Sequence, residues 1–382
     1  MTLTAFAAPQ IFDGHRWHTD CALLVEGAIV QAILPRTDLP EVSRTVDWDE
    51  GMIVPGFVDI QTNGGGGILL NDDPTPEGLE RICAAQFAYG TTALLPTLIT
   101  DTPEITAATL DAGREAQRRQ MPGFAGLHLE GPHLSVARKG AHKPDYIRPM
   151  TDADFARLAD ARAELATLLT TIAPETVPPA RIRDLVQAGL IVSLGHSDTD
   201  AATAKAAFAA GASMVTHLFN AMSPLGNREP GLVGAALEAG VWAGLIADGI
   251  HVHPTTIALA LRAHQGPGRI LLVSDAMAQI GTDITQFLLD GATVIRRDGA
   301  LRLEDGTLAG ADLTMIDAVK FMHRALEMPL NEALRMAALY PAQAIGRSDT
   351  LGHLQPGADA SLLHLDAGLD VGSVWIGGRE IQ

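Results

Sequence analysis

The chain has 382 residues, of which 47% are hydrophobic and 19% charged, and 45 acidic against 27 basic side chains give a formal charge of −18. So much apolar content supports a large core and excludes wholesale disorder, and so negative a field repels polyanions and excludes a nucleic-acid partner. Two cysteines, Cys21 and Cys83, cannot build a disulfide scaffold, no basic stretch precedes the first apolar residues, and no apolar run reaches the ~18 residues of a membrane span; a cytoplasmic chain with reduced thiols and no membrane partner is therefore expected.

Residues 1–51 hold short apolar runs, Leu23-Leu24-Val25, Ala28-Ile29-Val30 and Ala32-Ile33-Leu34, separated by Glu26-Gly27 and other polar residues, which reads as strands and turns. A different pattern follows. Apolar runs recur at 53–59, 92–98, 124–130, 168–172, 190–196, 212–217, 242–248 and 270–275. Between them lie Ala-rich helical stretches such as 201–210, with Ser197 and Asp198 before it as caps and Gly211 after it. Eight strand-then-helix units over 52–351 predict a TIM-like (β/α)8 barrel, whose strands are buried on both faces and so read as continuous apolar runs. A doubly wound α/β sheet is the alternative, but no G-x-G-x-x-G follows the first strand. Alternation over 287–303 predicts a β-hairpin inserted near 285–305, and 313–327 and 332–345 read as helices. Residues 352–382 return to short strands, with Gly377-Gly378 as a turn, so the two termini together predict one small β-sandwich domain.

Barrels of this kind place their active sites at the C-terminal ends of the strands. Four of the apolar runs end there in polar groups: Glu130, His196, His217 and Asp275. One carboxylate and two imidazoles are the usual ligands of a catalytic zinc, with a position left for water, whose pKa the metal lowers to ~7. Asp275 then suits a general base that later serves as acid. Each histidine taken alone is more often a satisfied core group, and Glu130 alone suits half of a buried ion pair; the set of four carries the reading. His128, two residues before Glu130, shares its side of the strand and reads as a supporting group.

These residues stand in segments that resemble the amidohydrolase superfamily and, within it, the family of N-acetylglucosamine-6-phosphate deacetylases. The segments are Pro55-Gly56-Phe57-Val58-Asp59-Ile60-Gln61-Thr62-Asn63, His128-Leu129-Glu130-Gly131-Pro132, Gly195-His196-Ser197, Thr216-His217-Leu218-Phe219-Asn220-Ala221, Arg228-Glu229-Pro230-Gly231, Ser274-Asp275-Ala276 and Leu308-Ala309-Gly310. The resemblance implies hydrolysis of the acetamide of N-acetylglucosamine 6-phosphate to glucosamine 6-phosphate and acetate. It implies a cation on Glu130, His196 and His217, with Asp275 as acid and base and His142 touching the substrate near the amide. It further implies a phosphate held by Asn220, the Ala221 backbone, Arg228 and His251, partly across a homodimer, and a covering loop at Ala309 and Gly310. Many members of the superfamily carry His-x-His where Gln61-Thr62-Asn63 stands here. Amides are poor zinc ligands beside imidazole, so one divalent metal per subunit is expected, with zinc favoured and iron or cobalt able to take the same ligands. Gln61, Asn63 and His133 complete the expected site loops, His133 shaping the sugar pocket or approaching a second metal.

From the residues alone, Arg228 reads equally as a phosphate fork or as an exposed charge in a turn. Gly64-Gly65-Gly66-Gly67 reads as a flexible surface loop or as backbone lying close to substrate. Two other functions compete with the deacetylase: an amidohydrolase acting on another amide or cyclic amide, and a barrel that has lost its chemistry and serves as a scaffold.

Overall fold

Strands that are apolar on both faces need cover on both sides, and a closed parallel sheet wrapped in helices supplies it. In the computed structural model, which describes residues 3–381, eight parallel strands neighbour one another in chain order: β1 (Phe57–Thr62), β2 (Thr91–Ile99), β3 (Leu127–Glu130), β4 (Leu168–Ile172), β5 (Ile191–Leu194), β6 (Met214–Val215), β7 (Trp242–Leu245) and β8 (Ile270–Leu272). Closure falls between β8 and β1. There the Asp275 N–H donates to Gln61 O at 3.0 Å and the Asn63 N–H to Ala276 O at 2.7 Å. Every residue of β1 to β4 is buried.

Local chemistry sets the helices between the strands. Thr75 and Thr102 cap α1 (Pro76–Phe87) and α2 (Pro103–Arg118), each of which begins on proline. A capping box of Thr151 and Asp154 opens α3 (Asp152–Glu164). The helix of 201–209 is capped not by Ser197 or Asp198 but by Asp200, whose side chain accepts from the Thr203 N–H at 2.7 Å.

Several boundaries differ from those read in the sequence. The run 53–59 is two strands. Met52–Pro55 pairs with Leu362–Leu365 and Gln10–Phe12 in a terminal sheet, and only Phe57–Thr62 enters the barrel. At the junction Pro55 has no N–H to continue a ladder, and a Cβ on Gly56 would stand 2.0 Å from Thr92 Oγ1. The stretch 332–345 is two helices, Leu330–Ala337 and Leu339–Ala344, parted at Ala338; Pro341 removes the bond to Ala337 and its ring crowds that carbonyl. The inserted hairpin is a four-stranded antiparallel sheet, Gln286–Leu289, Ala292–Arg297, Ala300–Leu303 and Leu308–Ala311. Its first two turns, Asp290-Gly291 and Asp298-Gly299, have both residues at positive φ, which suits the twist of a hairpin.

Both termini build the small sandwich. A four-stranded sheet (Ile29–Pro35, Cys21–Glu26, Leu3–Ala7, Arg44–Asp47) faces a six-stranded one that includes Leu362–Leu365 and Val371–Ile376. Phe6 and Trp375 meet edge to face at 4.6 Å in its core. None of the glycines 64–67 lines the main pocket, and only Gly66 and Gly67 reach the surface in part. Gly64 and Gly65 are buried against Ile68 and α1, where a Cβ on Gly65 would stand 3.1 Å from Ala85 Cβ. Among the described residues no helix is long and apolar enough to cross a membrane.

Candidate active site

The barrel strands stop short of the polar groups that follow them. Glu130 is the last residue of β3, but His196, His217 and Asp275 stand two to three residues beyond β5, β6 and β8. All three adopt left-handed backbone, with φ of 47°, 30° and 48°. That conformation is strained for residues with a Cβ and is held by its surroundings. It turns each chain sharply at the mouth and brings side chains from distant strands together.

His196 Nε2 and His217 Nε2 lie 3.0 Å apart, and Glu130 Oε1 lies 3.3 Å from the first and 3.1 Å from the second. Around a tetrahedral ion with ligands at ~2.0–2.1 Å, neighbouring ligand atoms are ~3.3–3.4 Å apart. The triangle therefore fits a divalent cation. The His196 Nδ1–H donates to Arg138 O at 2.9 Å, which leaves Nε2 as a bare lone pair aimed at the centre. His217 Nδ1 is buried without a partner, so no protein group fixes the tautomer of that ring. All three side chains are nearly inaccessible. Burial pushes Glu130 up, but hydrogen bonds to His196 and His217 outweigh it and hold the carboxyl well below the usual range. His217 is raised in turn, because Glu130 outweighs its burial.

His142 also approaches, its Nε2 3.9 Å from Glu130 Oε2. Glu130, His142 and His196 offer ligand atoms within 4.8 Å of one another. The triangle with His217 is much tighter, and the surroundings of His142 favour a different role. Its Nδ1 lies 2.8 Å from Thr100 Oγ1 and 3.4 Å from Thr100 N; the amide can only donate, so Nδ1 accepts, the ring proton sits on Nε2 and that nitrogen is a donor. Burial, followed by repulsion from His196, lowers its pKa to about 3, so the ring is neutral.

Asp275 faces this group from the seam of β1 and β8. Its Oδ1 accepts from Asn63 Nδ2 at 2.8 Å and from Gln61 Nε2 at 3.1 Å, and no side chain among the described residues donates to Oδ2. Gln61 Nε2 also donates to Glu130 Oε1 at 3.2 Å, so one amide bridges both carboxylates. Burial and then the Glu130 charge raise the Asp275 carboxyl. Beneath it Asp59, fully buried, accepts from the Gln61 N–H, the Ser274 N–H and, through a very short bond, the Ser274 hydroxyl. Asp59 thus ties β1 to the turn that carries Asp275. Reading the sequence missed this role, although a carboxylate inside an apolar strand was the available signal.

These groups open into a pocket of about 500 Å³. Its walls include Asn63, His142, Asn220, Ala221, His251, Ala309 and Gly310. The Ala221 N–H has no partner among the described residues. The His251 Nδ1–H donates to Asp248 at 2.6 Å, which frees Nε2 for the pocket. Gly310, at φ 70°, passes so close to Asp275 O and Met277 that a Cβ would stand 2.4 Å from Met277 Cγ, and the next N–H, of Ala311, donates to Asp275 O at 2.8 Å. Two expected residues stand elsewhere. Arg228 is exposed in a turn closed by the Gly226 N–H on Glu229 O and does not line its own chain's pocket. His133 lines a separate small cavity with Arg148 and Asp154, because its Nδ1–H is spent on Arg148 O at 3.0 Å. Arg138 and Arg302, unremarked in the sequence, also line the pocket.

Residues 52–381 match the amidohydrolase family. An N-acetylgalactosamine-6-phosphate deacetylase of Shewanella sp. (strain ANA-3) is 44% identical over 86% of this chain and 83% of its own. The crystal structure of the N-acetylglucosamine-6-phosphate deacetylase of Pasteurella multocida is 37% identical and superposes with a TM-score of 0.95 over 99% of both chains. That of a mutant enzyme of the same name from Mycobacterium smegmatis, solved with N-acetyl-D-glucosamine 6-phosphate, is 31% identical with a TM-score of 0.90 over 99% of this chain and 98% of the other. The chain belongs to the amidohydrolase family.

Proposed function

We propose that this chain hydrolyses the acetamide of N-acetylglucosamine 6-phosphate to glucosamine 6-phosphate and acetate, a step of amino-sugar catabolism. The observation that carries the reading is the convergence of Glu130, His196 and His217 within 3.3 Å, with Asp275 held beside them by Gln61 and Asn63. When bound there, one divalent cation, which we take to be zinc, supplies polarisation of the carbonyl and activation of water at neutral pH. Asp275 takes the proton of the attacking water and returns it to the departing nitrogen. The His142 Nε2–H donates to the carbonyl oxygen as charge builds there, a contribution worth about 3–4 kcal/mol in comparable sites. Gln61 and Asn63 offer only amide oxygens, poor zinc ligands beside imidazole, which suits a single-metal site.

The free Ala221 amide, Asn220 and His251 Nε2 suit the substrate phosphate, and Ala309 and Gly310 cover the sugar. Arg228, exposed and outside its own pocket, suits the phosphate in a neighbouring copy, so we read the chain as a homodimer. Two free cysteines agree with a cytoplasmic setting. Remote phosphate binding positions the acetamide, so its loss lowers turnover as well as affinity.

A second reading has its own support, because the 44% identical Shewanella relative is a deacetylase of the galactosamine epimer. Acetate release measured on both 6-phosphates, and on N-acetylglucosamine without phosphate, decides among them. Faster release from the glucosamine epimer supports the proposal, and faster release from the galactosamine epimer supports the second reading. Equal rates with and without phosphate overturn both, and no release by zinc-loaded chain favours the scaffold.

A further inference from the structure

The barrel layer beneath the triangle of ligands is polar. In such barrels bulky branched residues usually fill the interior layers. Here a row of buried groups crosses four neighbouring strands, β2 to β5, and reaches the residue that follows β6. Ser193 Oγ lies 2.6 Å from Thr216 Oγ1, Thr216 Oγ1 lies 2.6 Å from Thr171 Oγ1, Thr171 Oγ1 lies 2.7 Å from His128 Nε2, and His128 Nδ1 lies 3.3 Å from Thr97 Oγ1.

Proton counting gives the row one direction. Thr97 Oγ1 accepts from the Thr62 N–H and lies 3.1 Å from Leu95 O, which can only accept its proton. His128 Nδ1 must then donate to Thr97, so Nε2 is bare and accepts from Thr171. Thr171 accepts from Thr216, and Thr216 from Ser193. Every hydroxyl proton in the row finds an acceptor. Run the other way, the Ser193 proton finds none among the described residues, and the Thr97 bond to Leu95 O is lost.

The row touches each strand that carries a ligand. His128 is two residues before Glu130, Ser193 three before His196, and Thr216 immediately before His217. Thr171 sits at its centre on β4, which carries no ligand. Packing there is tight: a Cβ on Gly195, just before His196, would stand 2.8 Å from Thr171 Cγ2 and 2.9 Å from Thr216 Cβ. We propose that Thr171 is a positioning residue, whose hydroxyl fixes the spacing of the three ligand-bearing strand ends and so sets the affinity of the cation site. Groups hydrogen-bonded directly to metal ligands typically change affinity or activity by ~10–100-fold when removed, and Thr171, one step further back, is expected near the lower end.

The inference rests on the cation reading above, and one experiment separates the two. Zinc affinity and stoichiometry are measured by competition with a chelator on the unaltered chain, on Thr171→Val and on Thr171→Ser, with melting temperatures of the metal-free proteins alongside. The valine keeps the shape of threonine but leaves His128 Nε2 without a donor and the Thr216 proton without an acceptor. Expected are one zinc in each, ~10-fold or greater weakening in Thr171→Val, and affinity near that of the unaltered chain in Thr171→Ser. If the unaltered chain binds no zinc, the cation reading fails. If it binds one and Thr171→Val binds equally well, or if the serine weakens binding as much as the valine, the positioning role is overturned. Should Thr171→Val fail to fold, Ser193→Ala at the head of the row replaces it. Weaker zinc binding by that variant supports the row, and unchanged binding overturns it.

Discussion

Glu130 and Asp275 are both buried carboxylates at one barrel mouth, yet the chain surrounds them with opposite chemistry. The side formed by β3, β5 and β6 presents two imidazoles to Glu130 and keeps it ionised against its burial. The seam of β1 and β8 presents neutral amides to one oxygen of Asp275 and leaves burial and the Glu130 charge to raise its pKa. One carboxylate is fixed as a permanent charge and the other is poised to exchange a proton. Environments that push two like groups apart in this way assign them different roles. The two sides should therefore fail differently when altered.

The largest effect is expected on the ligand side. His217→Ala removes one corner of the triangle and should bring metal content after dialysis far below one ion per chain, with turnover lost alongside. Elemental analysis checks it, and an unchanged stoichiometry would put the cation somewhere else. On the seam, Asp275→Asn should keep the metal but lower kcat by about 10²–10⁴-fold, the usual contribution of a general base. If that variant also lost its metal, the division between ligand side and seam would not stand.

Much of this contrast was legible in the sequence because Glu130, His196, His217 and Asp275 interrupt otherwise apolar runs at the strand ends. The strand lengths were not. The runs 190–196, 212–217 and 270–275 read as strands to their last residue, whereas the backbone has turned left-handed by His196, His217 and Asp275. Histidine and aspartate adopt positive φ more often than most residues with a Cβ, but only in a small minority of cases, so residue type alone did not mark these turns. Thr97, Thr171, Ser193 and Thr216 lie in runs that read as ordinary strands, and only side-chain contacts between strands join them into a row. The fourth strand of the inserted sheet, Leu308–Ala311, escaped notice because small residues carry little alternation. Met52–Pro55 merged with β1 because its burial in the sandwich looks, in sequence, the same as burial in a barrel.

Gln61 belongs to both sides, since its amide donates to Glu130 and to Asp275. A hydrogen bond to a charged group contributes about 1.5–3 kcal/mol, so Gln61→Ala should lower kcat by roughly tenfold to a hundredfold. Metal content should stay near that of the unaltered chain, because no corner of the triangle is lost. A variant with normal kcat but depleted metal would instead make Gln61 a support of the ligand side.

The smallest effect is one of stability, at the base of the seam. Burial raises the Asp59 pKa to about 7, against the Ser274 hydroxyl and the Gln61 and Ser274 amides that favour its ionised form. An unfolded aspartate titrates near ~3.9. Asp59 therefore contributes stability that is fully present below that value and is lost as pH rises through about 7. Asparagine cannot ionise, and its amide suits the same neighbours, because the Ser274 proton has a second acceptor in Gln61 O at 3.3 Å. The melting temperature of Asp59→Asn minus that of the unaltered chain should thus grow more positive from pH 5 to pH 8. Asp154, held below the usual carboxylate range by Arg148 and Thr151 against its burial, titrates in the opposite sense but equally in both proteins, and cancels in the difference. A difference that stays constant across that range would mean Asp59 is already ionised in the folded chain, its three donors outweighing burial.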